Sequence, residues 1–154
     1  WPNPVSSVSN SHLFKIVRSK DAIEIFYDIN VSGSGKLDVK SPVNVYWIKY
    51  ADKGQKEPLT WIQENYAYGL KFLKANEDEA IFQFVSYDKR TFLVKKDNDG
   101  MFKVFTLSAN EYVAVDRIFI QIDGGSFWLP RISKVELHVT DMETGDEKIE
   151  VINP

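Results

Sequence analysis

The sequence predicts an all-β chain: an antiparallel sandwich or flattened barrel of about ten short strands, with one short helix near residues 59–69. Three observations predict it. Apolar side chains recur at every second position through stretches such as Ile23-Glu24-Ile25-Phe26-Tyr27-Asp28-Ile29, the period of a strand with one face in a core. Glycine, asparagine and aspartate cluster between those stretches, where tight reversals need positive φ. Aromatic residues are abundant, 4 Trp, 7 Tyr and 10 Phe in 154 positions, and flat rings pack well across a pleated surface.

Taken in order, residues 1–11 read as a loosely ordered N-terminal arm and residues 12–154 as a single β domain. Strands are expected at 13–18, 22–31, 43–50, 70–74, 80–87, 91–96, 101–107, 111–115, 117–123, 135–140 and 148–152. Turns are expected at Ser32-Gly33-Ser34-Gly35, Asp97-Asn98-Asp99-Gly100, Asp123-Gly124-Gly125 and Thr144-Gly145-Asp146, so successive strands pair antiparallel. Residues 58–69 break the alternation. Thr60 and Gln63 have the spacing of a capping box, and Gly69 suits a left-handed helix terminus. So short a helix is marginal alone and needs an aromatic face against the sheet, either Ile62 with Tyr66 or Trp61 with Asn65 and Tyr68. The segments 43–50 and 80–87 carry bulky apolar groups on both faces, as covered strands do.

Composition narrows function by exclusion. Hydrophobic residues at 44% and charged ones at 27% suit one globular domain. No apolar run reaches the length of a membrane-spanning helix. A net charge of −3 with scattered lysines offers no basic surface for nucleic acid. The absence of cysteine removes disulfides, thiolate chemistry and cysteine-held metal. His12 and His138 lie far apart and form no metal-binding pair, and His138 falls on the polar side of its strand. No Gly-x-Ser-x-Gly elbow accompanies them.

Two aspartate-rich turns imitate calcium loops. The run from Asp28 places oxygen ligands and a glycine at suitable positions but has Val39 where a bidentate glutamate belongs, and Met101 spoils the run from Asp97. Both are read as turns. With 22 acidic residues, some pair will always have the spacing of glycosidase carboxylates, so spacing alone makes no case for one. The densest constellation is Asp116-Arg117 followed by residues 123–131, where Gly124 and Gly125 let backbone approach a partner beside Asp123, Phe127, Trp128 and Arg131. Trp47, Tyr68, Asp123 and Trp128 are therefore the candidate ligand-binding residues, rings for a flat ligand face and a carboxylate for its hydroxyls. The competing reading has these rings simply filling a core.

The segments Val43-Asn44-Val45-Tyr46-Trp47-Ile48, Leu59-Thr60-Trp61-Ile62-Gln63, Tyr66-Ala67-Tyr68-Gly69-Leu70, Phe84-Val85-Ser86-Tyr87 and the stretch 117–130 resemble domain-of-unknown-function family 4833, over nearly the whole chain. The resemblance implies a small exported or envelope protein of bacterial type, and brings no activity, cofactor or catalytic residue. The start at Trp1 without methionine adds to the expectation of export to the periplasm or cell envelope. The expected function is non-enzymatic binding or interaction, with a sugar, an apolar ligand or a peptide met through an aromatic-lined surface. A structural or assembly role in the envelope is the alternative, and an enzyme of unknown reaction comes third. The partners expected are a small molecule, a glycan or a protein, and no cofactor or metal is expected.

Overall fold

The computed structural model describes residues 11–20, 23–50, 53–126 and 130–154. All of the expected N-terminal arm except Ser11 lies outside these residues, as do Phe127, Trp128 and Leu129. Eleven strands are described: β1 (His12–Arg18), β2 (Ile23–Ile29), β3 (Val43–Lys49), β4 (Gln55–Pro58), β5 (Leu70–Ala75), β6 (Glu79–Phe84), β7 (Tyr87–Lys96), β8 (Phe102–Ser108), β9 (Glu111–Gly125), β10 (Pro130–Asp141) and β11 (Glu147–Ile152). Helix α1 (Trp61–Tyr66) joins β4 to β5.

The all-β expectation holds, with 65% of the residues in strands. In place of a sandwich's two separate layers there is one curled, open sheet, a half-barrel whose path runs β4-β3-β2-β1-β9-β8-β7-β6-β5. Strand β9 is the joint. It pairs antiparallel with β8 over Glu111 to Ala114, then parallel with β1 from Ile118 to Ile120, while β10 pairs along its other edge. The β1–β9 pair departs from the antiparallel expectation. No hairpin links these two strands, so their direction is set by the packing of the two halves and not by a turn.

The segments expected at 111–115 and 117–123 form one strand of 15 residues. The alternation changes phase between them, with Val113 and Val115 buried first and then Ile118, Ile120 and Ile122. A register shift against His138 and Val139 absorbs the extra residue, so the phase change marks a bulge and not a strand end. Strand β6 stops at Phe84, because Phe84 pairs with Tyr87 across a reversal at Val85-Ser86 that has no glycine or asparagine to announce it. Strand β4, Gln-Lys-Glu-Pro, is exposed throughout and has no alternation to detect.

The two wings of the half-barrel close through rings. Phe14 stacks on Tyr27 at 4.4 Å, and Phe84 meets both edge-on, at 6.1 and 5.8 Å. Phe82, Phe84 and Phe92 continue the cluster across the opposite wing. The Tyr27 hydroxyl donates to the Tyr68 carbonyl at 2.6 Å, and the Leu37 N–H donates to the Glu77 carbonyl at 2.9 Å, so both ties cross from wing to wing. On the outer face Lys15, Phe26, Tyr46 and Lys56 form a row across β1 to β4. Phe26 stacks on Tyr46 at 5.5 Å and the two ammonium groups lie over the outer ring faces.

Helix α1 keeps its expected capping box: the Thr60 hydroxyl accepts from the Gln63 N–H, and the Gln63 side chain accepts from the Thr60 N–H. The face it buries is different. Gln63 is 1% exposed, whereas Trp61, Ile62 and Tyr66 remain exposed, Trp61 and Tyr66 touching each other edge-to-face at 5.7 Å. The buried Gln63 is the residue that closes the cap, and its carbonyl also accepts from the Ala67 and Tyr68 N–H groups at 3.1 and 2.8 Å. Gly69 likewise serves another purpose than the expected left-handed terminus. The left-handed glycines include Gly35, Gly100 and Gly145, not Gly69. A Cβ at Gly69 would lie 1.7 Å from the Glu64 carbonyl oxygen, where the chain folds back under the helix.

Replacing Gly69 with alanine is therefore expected to force α1 off the sheet and to cost about 2 kcal/mol or more, as overpacking against fixed backbone does. Urea unfolding of Gly69→Ala beside the parent measures it, and a loss below 0.5 kcal/mol, roughly the scatter of neutral surface substitutions, would contradict the contact.

Candidate functional site

Two of the four expected ligand-binding residues lie in the core. Trp47 on β3 is 8% exposed, and its indole N–H donates to the Pro58 carbonyl at 3.0 Å, fastening β4 to β3. Tyr68, just after α1, is 3% exposed. Asp123 is exposed near the end of β9, next to Gly124 and Gly125, whose φ values of 92° and 78° bend the strand end. Trp128 lies outside the described residues. Trp47 and Asp123 thus occupy different parts of the molecule, one inside a wing and one at a strand end.

Of the three described candidates, Tyr68 borders a concavity. Inside the curl, between the β9–β10–β11 side and the β6–β7 turn, lies a cavity of about 140 Å³ that opens to solvent. Ile118 and Ile120 of β9 and Leu137 of β10 form its floor, Phe84 and Phe92 face them, and Ile152 of β11 stands at its side. All but Ile152 are buried. Polar groups are few: the exposed Ser86 spends its hydroxyl on the Ala67 carbonyl at 2.8 Å, and Tyr68 and Tyr87 bring phenol rings. A space so lined can desolvate an apolar group and offers little to a polyhydroxylated one.

The strand period placed these apolar residues on one face, and no further signal in the sequence separates a side chain that borders a void from one that fills the core. Strand β11 has β10 as its one paired neighbour among the described strands, while β7 is paired with β6 and β8. Side chains join β11 to β7 and β8: Arg90 of β7 pairs with Glu150 of β11 and donates to the Leu107 carbonyl at 2.7 Å, and the Ser108 hydroxyl donates to Glu150 at 2.6 Å.

The remaining charged groups are arranged for structure. His138 contacts Glu136 at 3.1 Å on the outer face, and His12 contacts Asp28 at 3.4 Å. His138 and Lys134 hold the Glu136 carboxyl below its ordinary range. Burial, then the hydrogen bond to Asp28, raises the Tyr46 phenol, and burial raises Tyr27. Among the described residues no group of three His, Asp or Glu side chains is placed to hold a metal ion.

Asp141 ends β10. Its carboxylate accepts from the N–H groups of Glu143 and Thr144 at 2.8 and 3.2 Å and lies near Lys148, which also reaches Glu111 at 2.5 Å. Those backbone donors, first of all, lower its pKa from 3.8 to about 2. A group whose pKa falls on folding stabilises the fold above its unfolded value, and that contribution disappears as the pH drops through the folded value. Asp141→Asn keeps an acceptor for the turn but loses the charge. The charge is therefore expected to favour the parent above pH 3.8, with that contribution shrinking as the pH falls and vanishing only below about 2. Thermal unfolding across that range checks it, and a difference that does not change with pH would contradict the assignment.

No curated protein and no solved structure matches the chain. A family match extends over residues 14–151 and includes the Tyr46-Trp47-Ile48, Ala67-Tyr68-Gly69 and Gly124-Gly125 segments from which the resemblance was read. With nearly all of its length matched, the chain belongs to DUF4833, a domain family of unknown function.

Proposed function

We propose that this domain is a non-enzymatic binding module that takes an apolar group into the cavity of the half-barrel. One observation carries the reading: an apolar-lined space of about 140 Å³, open to solvent, lies inside the curl among buried core side chains. Unfilled apolar volume costs stability through lost dispersion contacts, about 24 cal/mol for each Å³, and an apolar guest of matching size recovers them. A dry cavity near 150 Å³ accepts a benzene ring. The enclosed part of the ligand is therefore a single ring or a short branched alkyl group. Among the ligands expected from sequence, the scarcity of polar groups favours an apolar one over a sugar, and the rings that serve it are Tyr68, Phe84 and Phe92.

Toluene, indole and hexanol are suitable probes. A ligand bound only to the native state stabilises it by about 2.7 kcal/mol at 100 times its Kd, which for a domain of this size raises Tm by about 5–10 °C. Ile132→Trp, which places an indole at the cavity wall, is expected to remove the response. If no probe raises Tm, or if the tryptophan variant responds as strongly as the parent, the cavity is not a binding site.

A second reading draws on the exposed Trp61, Ile62 and Tyr66 of α1, which suit an assembly role in the cell envelope. That role predicts self-association or vesicle binding that a Trp61→Ser, Tyr66→Ser double variant abolishes while its Tm stays within 2 °C of the parent, as exposed substitutions allow. Light scattering and vesicle sedimentation decide it.

A further inference from the structure

The cavity opens between two lips. Among its lining residues Ser86 and Pro154 are exposed and Tyr87 and Ile152 are half-buried, which places the mouth between the start of β7 and the end of β11. No ladder joins one lip to the other. Strand β11 is paired with β10. Strand β7 pairs with β6 at Tyr87 and again from Phe92 to Lys95, and with β8 from Leu93 to Lys96, so residues 88–91 fall between these pairings. Side chains hold that stretch: Gln83 donates to the Asp88 carbonyl at 3.1 Å, and Thr106 to the Thr91 carbonyl at 3.0 Å.

An ionic cluster ties the lips together. Arg90 precedes the cavity-lining Phe92 by two positions and Glu150 precedes Ile152 by two, so each charged side chain shares a strand face with an apolar residue of the cavity. The Arg90 guanidinium pairs with the Glu150 carboxylate and donates to the Leu107 carbonyl at 2.7 Å, and the Ser108 hydroxyl donates to the same carboxylate at 2.6 Å. The two charged side chains are 17% and 26% exposed, which leaves the pair open to screening by salt. A strand margin held by a ladder on one side and by side chains on the other opens locally at less cost than one between two ladders.

We propose that the Arg90–Glu150–Ser108 cluster is a latch on the cavity mouth: while it is made, it holds the start of β7 against the end of β11 and slows the passage of apolar ligands, and its release lets the lips part. The inference rests on the apolar-cavity reading and adds the regulation of that site. The latch is made before a ligand enters and again once it is inside, and is broken during passage. Weakening it therefore lowers the barrier from both sides, raising kon and koff by the same factor and leaving Kd nearly unchanged. A cluster that served only to shape the bound state would change koff and Kd together.

The test follows toluene exchange through the NMR line shapes of the Ile118, Ile120 and Leu137 methyl groups, which border the cavity. Glu150→Gln keeps an oxygen for Ser108 and removes the charge that holds Arg90. It is expected to raise kon and koff together by about ten-fold, as loss of a charge-assisted bond from the closed states does. Lys134→Gln, which breaks the pair between Lys134 and Glu136 at 3.2 Å, is expected to leave both rates as they are. Raising sodium chloride from about 20 mM to about 0.5 M is expected to speed koff in the parent and not in Glu150→Gln. Toluene is neutral, so salt reaches its escape from the cavity only through the protein.

Rates of Glu150→Gln within about two-fold of the parent would overturn the latch and leave the cavity reading intact. So would a rise in koff without one in kon, which would make the cluster a support of the bound state. If Glu150→Gln does not fold, the parent decides alone, and a koff that does not rise with salt overturns the proposal. Absence of toluene binding in the parent would remove the cavity reading and the latch with it.

Discussion

The architecture depends on the double use of β9. A strand has two hydrogen-bonding edges, and an ordinary sheet gives each edge one neighbour. Here one edge serves β8 over its first residues and β1 over its later ones, while the other edge serves β10. The bulge near Val115 permits this, because it turns the strand while keeping Val113, Val115, Ile118, Ile120 and Ile122 on the inner side. Two antiparallel meanders are thereby rooted in one backbone and diverge from it. They can bury their apolar faces only against each other, and the sheet curls.

Rings suit the meeting of the wings better than aliphatic side chains do. The strands approach at changing angles, and the edge-to-face contacts of Phe84 with Phe14 and Tyr27 accommodate a crossing that parallel stacking does not. The Tyr27 hydroxyl gives the contact direction. Buried completely, it must find an acceptor, and the acceptor is the Tyr68 carbonyl in the segment that returns from α1. The helix is thus held by its capping glutamine and the segment after it, leaving Trp61 and Tyr66 in solvent.

Much of this was legible in the residues. The alternation in Ile23–Ile29 located β2, the Thr60–Gln63 spacing located the cap, and glycine located the left-handed positions at Gly100 and Gly145. What escaped was mostly non-local. The reversal at Ala109-Asn110 has positive φ at both residues and only asparagine to suggest it. A bulge and a strand end change the alternation in the same way, so β9 looked like two strands. Trp47 and Tyr68 carry the same chemistry in the sequence, but Trp47 fastens β4 from inside a wing whereas Tyr68 borders the cavity, and only the assembled fold separates them. The cavity is lined by residues of β1, β6, β7, β9, β10 and β11, a property of the assembled curl that no window along the chain contains.

The parallel contact between β1 and β9 also constrains how the chain comes to be folded. The Ser19 hydroxyl accepts from the Ile122 N–H across 103 positions of sequence, and the edge of Ile16 to Arg18 that faces away from β2 finds its partners in that distant strand. A chain emerging from the ribosome completes β1 to β4 long before β9 exists, so the first wing must wait with its inner rings uncovered and one flank unmatched. The short, proline-ended β4 guards the other flank during that interval. The edge devices of the first wing thus protect a half-made protein as well as a finished one.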